Sequence, residues 1–351
     1  MQYTDRRHAR RAVSVVVQGC RGMLLSLALL NAGAAAAATD ERPSADTTAE
    51  QASRIPLWPA GMAPGDTALP QPQRIVERSS DAAVPDRYIQ SISAPYMVVY
   101  RPARPNGTAL LVTPGGGYQR IVLDNEGTSL VPGFVERAGI TLFVLRYRLP
   151  GEGHPNGADV PLADAQRALR LIRANAARYG IDAQRVGVMG FSAGGHVAAS
   201  LGTRYAAQVY PAVDRADTLS ARPDFQLLIY PVIDMDAANA HMGSRERLLG
   251  NAPSDAKVRA YSPQWHVDAR TPPTFLLHAQ DDTVVSVRNS LLMHDALLRA
   301  GVPSELHVFP QGGHGFGTRG TTGLTLAAWP QLAQAWIQQV SASAAPQDGP
   351  R

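Results

Sequence analysis

The chain has a single cysteine, Cys20, and that one residue lies in the N-terminal segment. One thiol excludes an internal disulfide and a zinc site built from thiolates. Cys20 also precedes the apolar run instead of following it, which is the wrong order for a lipid-modified leader. Apolar runs long enough to span a bilayer are absent outside the N-terminus. A basic surplus is absent too, once that segment is set aside. Five of the 33 Lys and Arg and one of the 29 Asp and Glu stand before Thr39, leaving 28 of each sign. Charge therefore gives no reason to expect nucleic acid or an anionic membrane as partner. There is no internal repeat. His154, His241 and His266 fall in loops without ligand-like spacing, so no metal is expected.

What is present begins with a leader. Arg6, Arg7, Arg10, Arg11 and Arg21 precede an apolar stretch, Met23 to Ala38, that ends in alanines. Ala36-Ala37-Ala38 satisfies a small-x-small cleavage rule, so residues 1–38 are expected to be a signal peptide and the mature chain to be periplasmic or secreted, without stable membrane association. Residues 39–54 are polar and rich in Ala, Glu and Thr, and are expected to be a disordered linker. "IPLWPAGMAPGD" (55–66) is punctuated by Pro and Gly and suggests an extended strap.

From residue 96 onward short apolar runs alternate with helix-period segments. The runs are 96–100, 108–113, 140–147, 185–191, 225–231, 274–279 and 305–310. In 161–180, Leu162, Ala165, Leu169 and Ile172 share one helix face. Alternation of this kind implies parallel βαβ units, and continuous apolar strands imply a sheet covered on both faces. The expected fold class is α/β, doubly wound, with one domain over 55–342 and a flexible tail at 343–351. Residues 234–273 are too long for an ordinary connection and suggest a small cap-like insertion.

"GFSAGG" places Ser192 directly after an apolar strand and directly before a helix. With 31 glycines and 20 serines in the chain, chance supplies a Gly-x-Ser-x-Gly roughly one time in six, so the motif alone decides little. Its position decides more. A tight strand-to-helix turn holds the middle hydroxyl exposed, and the helix N-terminus aims amides at the same point. The Ala193 amide is then one half of an oxyanion hole. "TPGGGYQR" (113–120) offers the other half at Gly116 and Gly117, each well-aimed donor being worth roughly 10²–10³ in rate. A serine needs a base. His314 stands in "FPQGGHGFG" after the last strand, and Asp281 and Asp282 follow the strand 274–279. Serine, acid and histidine in that chain order, all at strand ends, suit acyl transfer on an open α/β sheet. Tyr118 and Glu126 flank the glycine loop as tentative substrate contacts. Asp234 and Asp236 are a minor alternative for the acid, and Asp164 suggests a first-turn helix charge.

These stretches, with "NEG", "FVLRYRLP" and "HAQDD", resemble the α/β-hydrolases, and more narrowly bacterial secreted esterases of the acetylxylan esterase type. The likeness runs from about Ile55 to Val340. It implies the α/β-hydrolase fold and a Ser192, Asp282, His314 triad, since the family's acid stands four residues after a histidine, here His278. It also implies an ester substrate, an acetylated carbohydrate in the first instance, and no cofactor. General carboxylesterases, serine peptidases of similar fold and non-catalytic hydrolase-like binding proteins are the competing readings. Pro114 stands where many lipases of the wider group have histidine, which leaves the oxyanion donors open.

Overall fold

The structure, a computed structural model, describes residues 41–343. The expected leader and all but the first residue of the expected tail lie outside the described residues.

The first pieces are short: strand β1 (Arg42–Ser44), helix α1 (Thr48–Ala52), and strands β2 (Arg54–Pro56), β3 (Arg74–Glu77) and β4 (Arg87–Gln90). Regular structure follows with β5 (Tyr96–Tyr100), β6 (Gly107–Thr113), β7 (Ile121–Val122), β8 (Thr141–Arg146), α2 (Val160–Ala174), α3 (Ala176–Tyr179), β9 (Ile181–Phe191) and α4 (Ser192–Arg204). Then come β10 (Gln226–Ile229), α5 (Met242–Leu249), α6 (Asp255–Ala260), β11 (Thr274–Ala279), α7 (Arg288–Arg299), β12 (Ser304–Phe309) and α8 (Trp329–Ser343).

Eight strands form the main sheet in the order β12-β11-β10-β9-β6-β8-β5-β2. The pairs from β12 to β8 are parallel, and β8–β5 and β5–β2 are antiparallel. Alternate strand residues feed two separate cores. Ala109, Leu111, Val188 and Leu276 pack with Leu169, Val197 and Leu297 from α2, α4 and α7. Leu110, Val112, Met189 and Leu277 pack on the other side with Phe134, Trp329 and Trp336. Period-two alternation between two apolar layers is what a doubly wound sheet requires.

From residue 41 onward the expected linker is folded. Thr47 and Glu50 form a reciprocal capping box at the start of α1. The Glu50 carboxylate then meets the Arg87 guanidinium at 2.8 Å, and Arg87 meets Asp124 at 2.7 Å, all three buried. Asp46 accepts from Arg54 and from the Tyr96 hydroxyl. A charged, low-hydrophobicity segment is ordered here by partners far away in sequence. The same segment supplies β1 to a second, antiparallel sheet in the order β1-β3-β4-β7.

The Pro- and Gly-rich strap is anchored by Trp58, which is buried and donates its indole N–H to Asp164 at 3.1 Å. Asp164 is therefore no exposed first-turn charge. It is a buried hub that also pairs with Arg148 at 2.7 Å.

Candidate active site

Ser192, the first residue of α4, follows the central strand β9. Its φ is +51°, and two other residues of the site region, Tyr118 (+58°) and Tyr230 (+37°), share the left-handed region. Among the described residues only five non-glycine residues do so, and strain of about 1–3 kcal/mol each persists only where surroundings enforce it. The enforcement at Ser192 is visible. A Cβ on Gly190 would stand 2.3 Å from the Gly194 carbonyl oxygen, and one on Gly194 would stand 2.0 Å from that of Thr113. Only glycine lets the turn close this tightly.

The Ser192 hydroxyl lies 2.8 Å from His314 Nε2, and His314 Nδ1 lies 2.7 Å from Asp282 Oδ2. In the neutral imidazole that fits both contacts, Nδ1–H donates to the carboxylate and Nε2 accepts from the serine. Asp282 Oδ1 accepts from the amides of Val284 and Val285, both at 2.9 Å. His278 Nε2 lies 3.3 Å from Asp282 Oδ2. Burial pushes the Asp282 carboxyl up, but the contacts with His278, His314 and the Val285 amide outweigh it and hold the group well below the usual carboxylate range. Asp281, its neighbour, points elsewhere and accepts from the Gly313 amide at 2.8 Å. Asp234 is engaged by Asn239 and Gln264.

The glycine loop follows β6. Gly116 has φ +132° and Gly117 φ +64°. Among the described residues no acceptor is hydrogen-bonded to the amides of Gly116, Gly117 or Ala193. Gly115 is held from below, its amide donating to Glu126 Oε2 at 2.6 Å. Glu126 Oε1 accepts from the Tyr230 hydroxyl at 2.9 Å, and that hydroxyl accepts from the Gly317 amide. Burial pushes the Glu126 carboxyl up. With both oxygens engaged, Glu126 ties the glycine loop to the histidine loop as well as lining the cleft.

Tyr118, expected as a tentative substrate contact, does not line the cleft. Its left-handed backbone turns the ring into the protein, where it is buried and its hydroxyl meets His196 Nδ1 at 2.7 Å. His196 Nε2 donates in turn to the Tyr261 carbonyl at 2.7 Å. Burial lowers the His196 pKa to about 4, so the ring stays neutral.

A cleft of about 740 Å³ opens over Ser192 and His314. His241, Gly243 and Arg247 line it from the 234–273 insertion, and Arg78, Asp86, Arg120 and Arg319 line its other side. Sequence reasoning assigns none of these to the cleft. His241 and Arg247 belong to a stretch without a motif, and Arg78 and Asp86 come from the connection between β3 and β4 of the small sheet, which the apolar pattern does not reveal.

Among known proteins, the BD-FAE family model matches residues 97–297. An acetylxylan esterase of Xylanibacter ruminicola is 35% identical over 225 residues, covering 63% of this chain and 43% of that protein. An endo-1,4-beta-xylanase B of Butyrivibrio fibrisolvens is 38% identical over 206 residues, covering 59% and 32%. The chain thus spans less than half the length of either curated relative. The crystal structure of an acetyl ester-xyloside bifunctional hydrolase from Caldicellulosiruptor lactoaceticus superposes with a TM-score of 0.66 at 36% identity, covering 82% of this chain and 96% of that one. The two-sided, mainly parallel sheet, the strained serine turn after its central strand and the family match agree: the chain belongs to the BD-FAE family and has the α/β-hydrolase fold.

Proposed function

We propose that the protein is an exported serine esterase that removes short acyl groups, acetyl first among them, from xylan or a related plant polysaccharide. The observation that carries this reading is the unbroken Ser192–His314–Asp282 chain, with contacts of 2.8 and 2.7 Å, at the mouth of an open cleft. The names of the relatives, an acetylxylan esterase and a xylanase, support the choice of substrate.

In this mechanism Ser192 Oγ attacks the ester carbonyl while His314 Nε2 takes its proton. The amides of Ala193 and of Gly116 or Gly117 receive the developing oxyanion. His314 passes the proton to the leaving alcohol, and water, deprotonated by the same nitrogen, then releases the acid and frees Ser192. Asp282 holds the productive tautomer and stabilises the imidazolium. The insertion 234–273 acts as a cap, and its cleft-lining residues select the alcohol.

Acetate release from acetylated xylo-oligosaccharides and from an aryl acetate tests this, using the chain and its Ser192→Ala variant. The expected result is turnover of both esters, lost in the variant. Turnover of the aryl ester alone would leave a short-chain carboxylesterase. Unchanged activity of Ser192→Ala would remove the nucleophile.

A further inference from the structure

The cleft carries more positive charge than an acetyl ester needs. Four guanidinium groups line it, from Arg78, Arg120, Arg247 and Arg319, against two carboxyls, from Asp86 and Glu126. Asp86 is taken by Arg78 at 2.8 Å. Glu126 is buried and engaged by Gly115 and Tyr230. The other two acids of the site, Asp281 and Asp282, serve the histidine loop and the histidine itself.

Three of the arginines meet no carboxylate among the described residues. Arg120 lies over the Tyr88 ring, 5.0 Å from its centroid. Arg247 donates to the Gly243 carbonyl and Arg319 to the Pro85 carbonyl. The arginines that hold the fold together behave differently. Arg87, Arg148 and Arg167 each meet two carboxylates. Arg247 approaches from the insertion, and Arg120 from the glycine loop that flanks Ser192. An acetyl group's two carbons fill little of 740 Å³, so most of this lining faces the alcohol part of the ester. Guanidinium groups in such a position suit a carboxylate, which they bind through paired N–H donors.

We infer that the cleft takes an ester whose alcohol part is anionic: an acetylated oligosaccharide bearing a uronate, whose carboxylate is met by Arg120 and Arg247. The inference rests on the proposed esterase activity for the ester, and on the arginines alone for the charge.

The test separates the two. Acetate release is compared between an acetylated xylo-oligosaccharide with a uronic acid branch and its neutral counterpart. In parallel, binding of the two deacetylated sugars to the Ser192→Ala protein is measured by calorimetry. The acidic sugar is expected to be favoured about tenfold at low ionic strength in both measurements. The ratio should collapse towards one in 1 M NaCl, where screening acts over about 3 Å, and fall in Arg120→Gln and in Arg247→Gln. Equal rates and equal affinities for the acidic and neutral sugars would overturn the inference and leave the esterase intact. Absence of turnover with an acidic preference in binding would sustain the anion site and remove the esterase reading. A preference for an aryl hemisuccinate over an aryl acetate, with none for the uronate, would put the charge on the acyl side and overturn the assignment.

Discussion

Asp281 Oδ1 accepts the Gly313 amide at 2.8 Å, while the next residue, Asp282, accepts His314 Nδ1 at 2.7 Å. Two adjacent carboxylates thus grip one loop at adjacent residues, the first by its backbone and the second by its imidazole. Asp282→Asn should lower kcat by about 10⁴, because the amide favours the wrong histidine tautomer. Asp281→Asn keeps an acceptor oxygen and should cost less than about tenfold, the size of one ordinary hydrogen bond. Steady-state kinetics of the two variants checks the ranking, and the reverse order would move the acid to Asp281.

The backbone at Ser192 provides a second test. Ser192→Ala and Ser192→Gly should both lose turnover, yet differ in stability. Glycine relieves the positive φ and alanine does not, so the glycine variant should be more stable by about 1 kcal/mol in chemical denaturation. Equal midpoints would mean the turn is unstrained.

Glu126 joins the glycine loop to the histidine loop through Gly115 and Tyr230. Glu126→Ala leaves those donors without their acceptor and should destabilise by about 2–3 kcal/mol, with a fall in kcat larger than any rise in KM. Glu126→Gln keeps one acceptor and should fall between. Because the folded carboxyl titrates above its ordinary 4.5, its contribution to stability is fully present below that pH and is lost as pH rises through the folded value. The stability of the wild type relative to Glu126→Gln should therefore decline with rising pH. A flat difference from pH 4 to pH 8 counts against this account.

The segment before β2 is part of the folded unit. Glu50→Ala leaves the buried Arg87 short of one carboxylate and should lower stability by about 3 kcal/mol. A chain beginning at Ile55 should melt lower still, because Asp46 and β1 go with it. Thermal unfolding checks both, and an unchanged midpoint would restore the linker reading.

The legible parts of the sequence were those with local signatures. Strands β5, β6 and β8 to β11 carry apolar runs because both faces of the sheet are covered there, while the edge strand β12 is half-buried. The serine, acid and histidine were legible because each follows such a run. The small sheet was not, since β1, β3, β4 and β7 have two to four residues each. Their order depends on ion pairs such as Arg87–Glu50, which span 37 residues. The direction of the Tyr118 ring is hidden for a related reason: its neighbours suggest the cleft, while one positive φ sends the ring to His196. The cleft arginines carry no spacing rule, because four separate segments bring them together.

His196 joins three parts of the molecule that sequence distance keeps apart: the nucleophile helix, the glycine loop through Tyr118, and the insertion through the Tyr261 carbonyl. The ring is buried and neutral, so the joint does not respond to mild acid. The insertion is thereby riveted to α4 one turn beyond Ser192. In the proposed enzyme, an insertion tied down in this way would serve as a fixed jaw instead of a swinging lid. On the proposed function, substrate preference would then drift by exchange of single side chains at 241–247, while the Ser192–His314–Asp282 framework beneath stays in register.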